Sequence, residues 1–149
     1  MSAQRILIVC PHCLGTNRID PARIDEHPNC GHCHQPLIPA KAIAVDDSGL
    51  RRLRERSELP LLVDYWAPWC GPCLSMAPAL ERAAASLAPR VQVLKLDTEA
   101  NQWAAQEAAI RSLPTLVLYG GGRELDRISG ALRTPDIVNW VVPRILGQS

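Results

Sequence analysis

The sequence predicts an α/β domain, with a mixed central sheet flanked by helices, that follows a small cysteine-rich module. After about residue 40, apolar runs of strand length alternate with stretches of helical periodicity, which favours parallel strand pairing, and a glycine run at residues 120–122 can close an antiparallel hairpin. Before residue 40, the chain is short of apolar residues and carries four of its six cysteines. We therefore divide the chain into an N-terminal module with a linker, 1–39, and an α/β domain, 40–149, whose core should lie entirely after residue 40.

Two C-x-x-C pairs lie in the N-terminal module, with sixteen residues between them: Cys10 and Cys13, then Cys30 and Cys33. Zn²⁺ takes four ligands tetrahedrally, and two such pairs can wrap one ion. We expect Gly15 and Gly31 to permit the tight turns. Because about thirty residues are too few to bury a stable core, metal binding would supply the folding free energy. The spacing therefore predicts a zinc-ribbon-like module with one structural Zn²⁺.

All four histidines of the chain lie in the same segment, and any of them could replace a cysteine as a ligand: His12, His27, His32 and His34. Since four cysteines complete a zinc site, we expect the histidines to face solvent or to support the ligands. A zinc ribbon can also bind nucleic acid, but the three arginines of residues 1–34 are matched by three acidic residues. Phosphate contacts need a basic face, so we expect no nucleic-acid partner.

The linker at residues 35–39 carries two prolines, which favour a stiff, extended connection. Residues 42–45 form a weak strand candidate. A helix capped by Asp47 or Ser48 should then bury Leu50 and Leu53. Its arginines should stay in solvent: Arg51, Arg52, Arg54 and Arg56.

Residues 61–63 are too apolar for a strand with one solvent-exposed face, and we predict a central strand that is covered on both faces. The chain then breaks at Pro68, and a helix can restart at Pro72, whose fixed φ suits a first helical turn. This leaves Cys70 at the helix N terminus, where it should be the more acidic and more exposed thiol. Cys73 lies about one turn further on, so it can resolve the mixed disulfide that Cys70 forms with a substrate.

The helix from about residue 72 should be kinked by Pro78, and five of its residues are interpreted as core positions: Leu74, Ala77, Leu80, Ala84 and Leu87. A strand at 91–96 and a helix at 103–110 follow. Strands at 115–119 and 124–129 should form the hairpin.

The last helix should start with Thr134 as its cap, Pro135 at its first position and Asp136 in its first turn. Its apolar face includes three residues: Ile137, Val141 and Ile145. Pro143 should either kink this helix or end it early.

The stretch Trp66-Ala67-Pro68-Trp69-Cys70-Gly71-Pro72-Cys73 resembles the active-site signature of thioredoxins. A bare C-x-x-C could also be half of a metal site or a pair of buried thiols. The flanking tryptophans, Asp64 and the downstream Leu113-Pro114-Thr115 favour the thioredoxin interpretation. The resemblance extends from about residue 41 to the end, and with its two N-terminal C-x-x-C pairs the chain looks most like the zinc-bearing thioredoxin 2 group.

The resemblance implies the thioredoxin fold, in the order β-α-β-α-β-α-β-β-α over residues 41–149. It also implies roles: Cys70 is the nucleophile, Cys73 the resolving thiol, Asp64 a buried carboxylate and Pro114 a cis proline that faces the dithiol. For Asp64, burial should raise the pKa and allow proton exchange with Cys73. The residues expected to contact a substrate are Trp69, Gly71, Pro72, Leu113 and Gly130.

Two features depart from the family pattern. Leu74 stands where many thioredoxins carry a basic residue, so the local field that favours a thiolate should be weaker. The chain contains no Phe, and Tyr65 and Tyr119 fill positions that Phe often holds.

The predicted function is protein-disulfide reduction. The resemblance implies an NADPH-dependent thioredoxin reductase as electron donor, disulfide-containing client proteins as substrates and no bound organic cofactor. The alternative is a zinc-dependent, chaperone-like adaptor that holds clients on a thioredoxin scaffold. Residues 41–149 contain no histidine, which excludes a Cys-His hydrolase mechanism for this domain.

Charge and hydropathy predict the cellular compartment and the class of partner. The formal net charge of +1 provides no basic field for nucleic acid. The apolar run at residues 6–9 is four residues long, so it predicts neither a signal peptide nor a membrane span. We expect a cytoplasmic monomer, in which three C-x-x-C pairs mean redox chemistry or metal binding more often than structural disulfides.

Overall fold

The computed structural model describes residues 4–146. In the N-terminal module, β1 (Ile6–Val9) and β2 (Thr16–Ile19) form an antiparallel hairpin in which Ile6 pairs with Ile19 and Val9 with Thr16. A 3₁₀ helix, Pro21–Glu26, follows. Among the described residues, no helix is both long enough and apolar enough to cross a membrane.

The α/β domain follows the order that the resemblance implied. Its strands are β3 (Ile43–Ala44), β4 (Leu61–Trp66), β5 (Gln92–Asp97), β6 (Thr115–Gly120) and β7 (Arg123–Ser129), and its helices are α1 (Asp47–Arg56), α2 (Gly71–Leu87), α3 (Gln102–Glu107) and α4 (Thr134–Leu146). The sheet order is β3-β5-β4-β6-β7. β5 runs parallel to β3 and β4, whereas β6 runs antiparallel to β4 and β7. The predicted mixed sheet is confirmed.

The central strand β4 is covered on both faces, as its apolar sequence predicted. Leu62 packs with residues of α2 and α4, such as Leu80 and Val141. Leu61 and Val63 point to the opposite face and pack with residues of α1 and α3, among them Leu53 and Ala104. Alternate residues of one strand therefore serve two cores, which is why the strand shows no polar face.

The core is not confined to residues after 40, so that prediction was wrong. Val9 of β1 belongs to the same buried cluster as Leu53 and Leu61. The buried Gln92 side chain donates to the carbonyls of Val9 and Leu37, both at 2.9 Å. The Ser57 hydroxyl donates to Gln92 Oε1 at 3.1 Å and accepts the Val9 N–H at 3.3 Å. The N-terminal module and the α/β domain are thus joined by buried contacts.

Helix α1 differs from its prediction in its cap and in its arginine face. Asp46 caps the helix, because its side chain accepts the Gly49 N–H at 2.7 Å. Arg52 and Arg54 are half-buried. Arg52 Nε donates to the Leu14 carbonyl at 2.7 Å, and the Arg54 guanidinium lies 4.1 Å from the centre of the Tyr119 ring. The sequence around α1 could not show that both the N-terminal module and the hairpin lie against this helix.

Helix α2 buries a stripe that differs from the predicted one. Leu74 and Ala77 are exposed, and the buried positions are Cys73, Met76, Leu80, Ala83, Ala84 and Leu87. The first turn starts at Gly71, one residue before the predicted start, and turns Cys73 inward. Met76 follows Cys73 at helical spacing, so it takes the place that the apolar pattern gave to Leu74 and Ala77. The helix continues past Pro78 to Leu87.

The ends of the last two helices, α3 and α4, can also be compared with their predictions. α3 ends at Glu107, because Ala109 takes a positive φ of 53° that leaves the helical region. α4 continues across Pro143 to Leu146, so Pro143 does not end it early. The Thr134 hydroxyl donates to the Ala79 carbonyl at 3.2 Å and ties α4 to α2.

Candidate active site and metal centre

Cys70 and Cys73 form a disulfide at the N terminus of α2. Cys70 is the N-cap residue, with extended backbone, and its Sγ accepts the Cys73 N–H at 3.2 Å. The exposed fractions of the two residues are 4% and 3%, so exposure scarcely separates them in the disulfide form. Their positions on the helix do, because only Cys70 lies at the terminus, where free N–H groups and the helix dipole stabilise a thiolate.

The predicted cis proline is present beside this disulfide. The Leu113–Pro114 peptide bond is cis, and Leu113 packs in one small cluster with Ala67, Cys70 and Cys73. The Pro114 carbonyl accepts the Gly130 N–H at 2.9 Å. Gly130 has a positive φ of 99°, which a glycine adopts without steric cost. The structure thus brings the dithiol and the loop before β6 together.

An open groove of about 540 Å³ runs between the disulfide and helix α3. Four of the predicted substrate-contact residues line it: Trp69, Gly71, Pro72 and Leu113. Gly130 is not among the lining residues, and its observed contact is with Pro114. Trp69 is 70% exposed, so it presents an apolar ring to solvent.

The opposite wall of the groove was not predicted. It is formed by the turn after β5, by α3 and by the loop that follows α3: Thr98, Gln102, Ala105, Gln106, Ile110, Arg111 and Ser112. Arg111 and Ser112 could have been predicted from their place in the sequence, since residues just before the cis proline must lie near the dithiol. The α3 residues carried no such signal, because their approach depends on the packing of α3 beside α1.

Asp64 lies in the middle of β4, with an exposed fraction of 4%. Its Oδ1 has no hydrogen-bond partner among residues 4–146. Desolvation raises the pKa of this carboxyl to about 7, although the charge of Lys95 opposes the increase. Both the burial and the direction of the pKa change agree with the prediction. A carboxyl with this pKa can gain or lose a proton near neutral pH.

The four cysteines of the N-terminal module converge, with all four Sγ atoms within 4.8 Å of one another. Two sulfur pairs lie at 3.6 Å, Cys10 with Cys33 and Cys13 with Cys30. Tetrahedral zinc with bonds of about 2.3 Å holds its sulfurs about 3.8 Å apart, so the arrangement fits Zn²⁺. The cluster contains no histidine among the described residues.

The two cysteine turns are built alike, and glycines do not make them. Leu14 and His34 each follow the second cysteine of a pair and take a positive φ, 65° and 68°. The prediction for Gly31 was therefore wrong, since a Cβ there would make only an ordinary contact with Asn17. Gly15 does ease its turn, but by its small size, because a Cβ there would lie 2.7 Å from the His32 ring. His32 Nε2 lies 3.1 Å from the Thr16 carbonyl, so this ring supports the turn from outside the cluster.

Backbone N–H groups surround the sulfurs. The N–H of His12 donates to Cys10 Sγ at 3.4 Å, that of His32 to Cys30 Sγ at 3.3 Å and that of Gly15 to Cys13 Sγ at 3.4 Å. Such donors stabilise thiolates, which is the form that binds zinc. The sulfur spacing and these donors suit a tetrathiolate zinc site.

The fold and the site together define a class of protein. A disulfide at the start of a helix, beside a cis proline and an open groove, on a mixed sheet, is the arrangement of thiol-disulfide oxidoreductases. The N-terminal module, whose four cysteines converge, has the arrangement of a zinc ribbon.

Comparison with known proteins places the chain more narrowly. The family described as Thioredoxin matches residues 41–142, and the one described as Thioredoxin 2, N-terminal, matches residues 9–35. The chain belongs to the thioredoxin family, and its N-terminal module is a zinc-ribbon domain like that of thioredoxin 2.

Relatives and solved structures agree. Thioredoxin C-3 of Corynebacterium nephridii is 43% identical over 143 residues, which cover 96% of this chain and 98% of that protein. The chloroplastic M-type thioredoxin of Chlamydomonas reinhardtii is 37% identical over 70% of this chain and 75% of its own length. The crystal structure of chloroplastic thioredoxin z superposes with a TM-score of 0.65 at 32% identity, over 72% of this chain and 96% of that one.

Proposed function

We propose that the protein reduces disulfide bonds of client proteins by dithiol exchange through Cys70 and Cys73. The observation that carries the proposal is the position of this pair at the N terminus of α2, where it borders an open groove next to the cis Leu113–Pro114 bond. An extended client segment in the groove would lie beside Cys70, and the backbone next to the cis proline could pair with it.

The first step uses the reduced protein. The Cys70 thiolate attacks one sulfur of the client disulfide, so a Cys70–client bond forms, the client S–S bond breaks and the other client sulfur leaves as a thiolate that takes a proton from solvent. The free N–H groups at the start of α2 and its dipole favour the Cys70 thiolate. The Cys73 N–H, 3.2 Å from Cys70 Sγ, adds one donor to that sulfur.

The second step releases the client. The Cys73 thiol loses its proton and attacks Cys70 Sγ, so the Cys70–Cys73 bond forms, the mixed disulfide breaks and the second client thiolate leaves. Two electrons pass from the dithiol to the client. We propose Asp64 as the general base for Cys73, directly or through a water, because its pKa of about 7 suits proton transfer near neutral pH.

The oxidised pair must then be reduced again. We propose a thioredoxin reductase as the partner that returns the two electrons, with NADPH used by that reductase and no organic cofactor bound to this chain. A cytoplasmic site of action fits this proposal, since that compartment keeps thiols reduced. We further propose that the chain acts as a monomer, and that its units are 1–39 and 40–149.

We propose one Zn²⁺ held by Cys10, Cys13, Cys30 and Cys33. The ion would be structural, because four protein sulfurs fill its tetrahedral shell and leave no position for a substrate. It would neutralise thiolates that otherwise repel one another, and it would hold the turn between β1 and β2 against the turn at Cys30–Cys33.

A Cys70→Ser variant tests the proposed function. With NADPH, thioredoxin reductase and a disulfide-bonded protein substrate, the wild type should turn over and Cys70→Ser should show no turnover above background. Ser86→Ala is a matched control, since Ser86 is an exposed residue near the other end of the same helix. Turnover that persists in Cys70→Ser would reject the proposal. Suppression of client aggregation by that variant, with no reduction by the wild type, would favour the chaperone-like adaptor.

A further inference from the structure

The groove beside the disulfide carries a single charge. Within the part of the chain that the structure describes, Arg111 is the one charged residue among those lining the groove. The other polar side chains there are amides and hydroxyls, such as Gln102 and Gln106. The exposed side chains next to the two cysteines, Trp69 and Leu74, are apolar.

Arg111 is exposed and makes no hydrogen bond or ion pair with residues 4–146. Five other arginines do pair with carboxylates: Arg23, Arg54, Arg127, Arg133 and Arg144. A guanidinium is always charged, offers several N–H donors in one plane and suits a carboxylate in two-point contact. The donors of Arg111 therefore remain available to a ligand in the groove.

The loop that carries Arg111 is held on both sides. Arg127 NH2 donates to the Ala108 carbonyl at 2.7 Å, and the Ile110 N–H donates to the Ala105 carbonyl at 3.0 Å. On the other side, the Thr115 hydroxyl donates to the Ser112 carbonyl at 2.7 Å. The backbone that presents Arg111 is therefore fixed before a client arrives, so little ordering of this loop is needed on binding.

We propose that Arg111 is a specificity-determining residue, which makes the dithiol prefer disulfides whose flanking sequence carries Asp or Glu. The inference rests on the proposed function, because it names the substrate class of the same site. A client carboxylate would be attracted by Arg111, the one charge that the described residues contribute to the groove wall, whereas a client lysine at the same place would be repelled. The other described lining residues carry no charge, so Arg111 is the one that can discriminate between charged client residues.

Peptides with an internal disulfide test this inference. Three peptides should be identical except at one position near the attacked cysteine, which is Asp, Asn or Lys. The second-order rate of a single reduction by the pre-reduced protein is measured at about 20 mM and about 500 mM salt. The Asp peptide should react roughly two- to fivefold faster than the Asn peptide at low salt, as an exposed ion pair allows, and the difference should nearly vanish at high salt.

Variants then locate the effect. Arg111→Gln should abolish the preference, and Arg111→Glu should reverse it in favour of the Lys peptide. Arg90→Gln is the matched control, because Arg90 is exposed but precedes β5, at the opposite end of the parallel strands β4 and β5 from the disulfide. The control should keep the wild-type preference.

The outcomes separate the inference from the proposed function. Equal rates for the three peptides with the wild type, or an Asp preference that survives in Arg111→Gln, would overturn the role of Arg111 and leave disulfide reduction standing. Failure of the wild type to reduce any of the peptides would overturn both.

Discussion

The three C-x-x-C pairs share a spacing but lie in different local structures. After Cys70, the chain enters helix α2 at once, so Cys73 is one turn further along and its N–H donates to Cys70 Sγ at 3.2 Å. After Cys13 and Cys33, the chain folds back through a residue with positive φ. The N–H of each first cysteine then bonds to a carbonyl just past its pair, Cys10 to Gly15 and Cys30 to Gln35, both at 2.8 Å.

The difference shows that the continuation of the chain, not the spacing, decides the chemistry. At the start of a helix, two cysteines at this spacing can form a disulfide with each other, and the helix dipole stabilises the thiolate of the first. A turn that folds back aims both sulfurs outward to one side, where a second such turn can meet them.

Removal of the four-cysteine module should destabilise the catalytic domain. A protein that begins at Lys41 loses Val9 from the core and leaves the buried Gln92 amide without its two carbonyl partners. The free energy of unfolding should fall by about 3 to 6 kcal/mol, from lost apolar burial and from the lost hydrogen bonds of Gln92. Chemical denaturation of the reduced proteins measures this change.

The truncated protein should keep its disulfide chemistry under conditions where it stays folded, because Cys70, Asp64 and Pro114 all lie in the remaining domain. Equal stability of the full-length and truncated proteins would contradict the shared core.

Much of this fold could be predicted from the sequence. The burial of β4, the hairpin around residues 120–122 and the element order follow from local patterns that tertiary contacts reinforce. The role of Val9 could not be predicted, because a four-residue strand in a polar segment gives no sign of its distant partner. The half-buried arginines of α1 were missed for the same reason, since Arg54 meets Tyr119 only through the packing of the sheet.

The candidate site could also be predicted only in part. Cys70, Cys73, Asp64 and the cis proline follow from a contiguous motif and its family pattern. The far wall of the groove depends on where α3 packs, so Gln102 and Gln106 could not be placed. The buried stripe on α2 includes Met76 where Leu74 and Ala77 were predicted, because the face that packs against the sheet is set by tertiary contacts.

Asp64→Asn should alter the stability of the catalytic domain and the chemistry of the Cys70–Cys73 pair, and it should leave the four-cysteine cluster unaffected. The folded-state pKa of about 7 exceeds the ordinary value of 3.8, so the native state favours the protonated carboxyl. Its stabilising contribution is fully present below about pH 4 and is lost as the pH rises through 7. The variant should therefore gain up to about 4 kcal/mol over wild type above pH 7, and the difference should vanish near pH 4.

The same variant should also slow client release. Single-turnover reduction should fall roughly tenfold near pH 7, with a smaller deficit at pH 9, where Cys73 needs less help to lose its proton. Zinc content should be unchanged, because Asp64 is not part of the cysteine cluster. A pH profile and stability identical to wild type from pH 6 to 9 would reject the role of Asp64.

Alkylation should distinguish the two thiols of the redox pair. In the reduced protein, iodoacetamide at pH 7 should modify Cys70 at least several times faster than Cys73, because only Cys70 lies at the helix terminus. Peptide mapping by mass spectrometry after short exposures measures the ratio. Faster modification of Cys73 would reverse the assigned roles.

The most direct test counts zinc and reactive thiols in the same reduced, full-length protein. We predict one Zn²⁺ per chain and two readily titrated thiols, Cys70 and Cys73, rising to six thiols when a denaturant and a chelator release the metal. A Cys70→Ser/Cys73→Ser variant should keep its zinc and show no readily titrated thiol. Loss of zinc from that variant, or zinc retained by the protein that begins at Lys41, would contradict the division of the six cysteines into one redox pair and one metal centre.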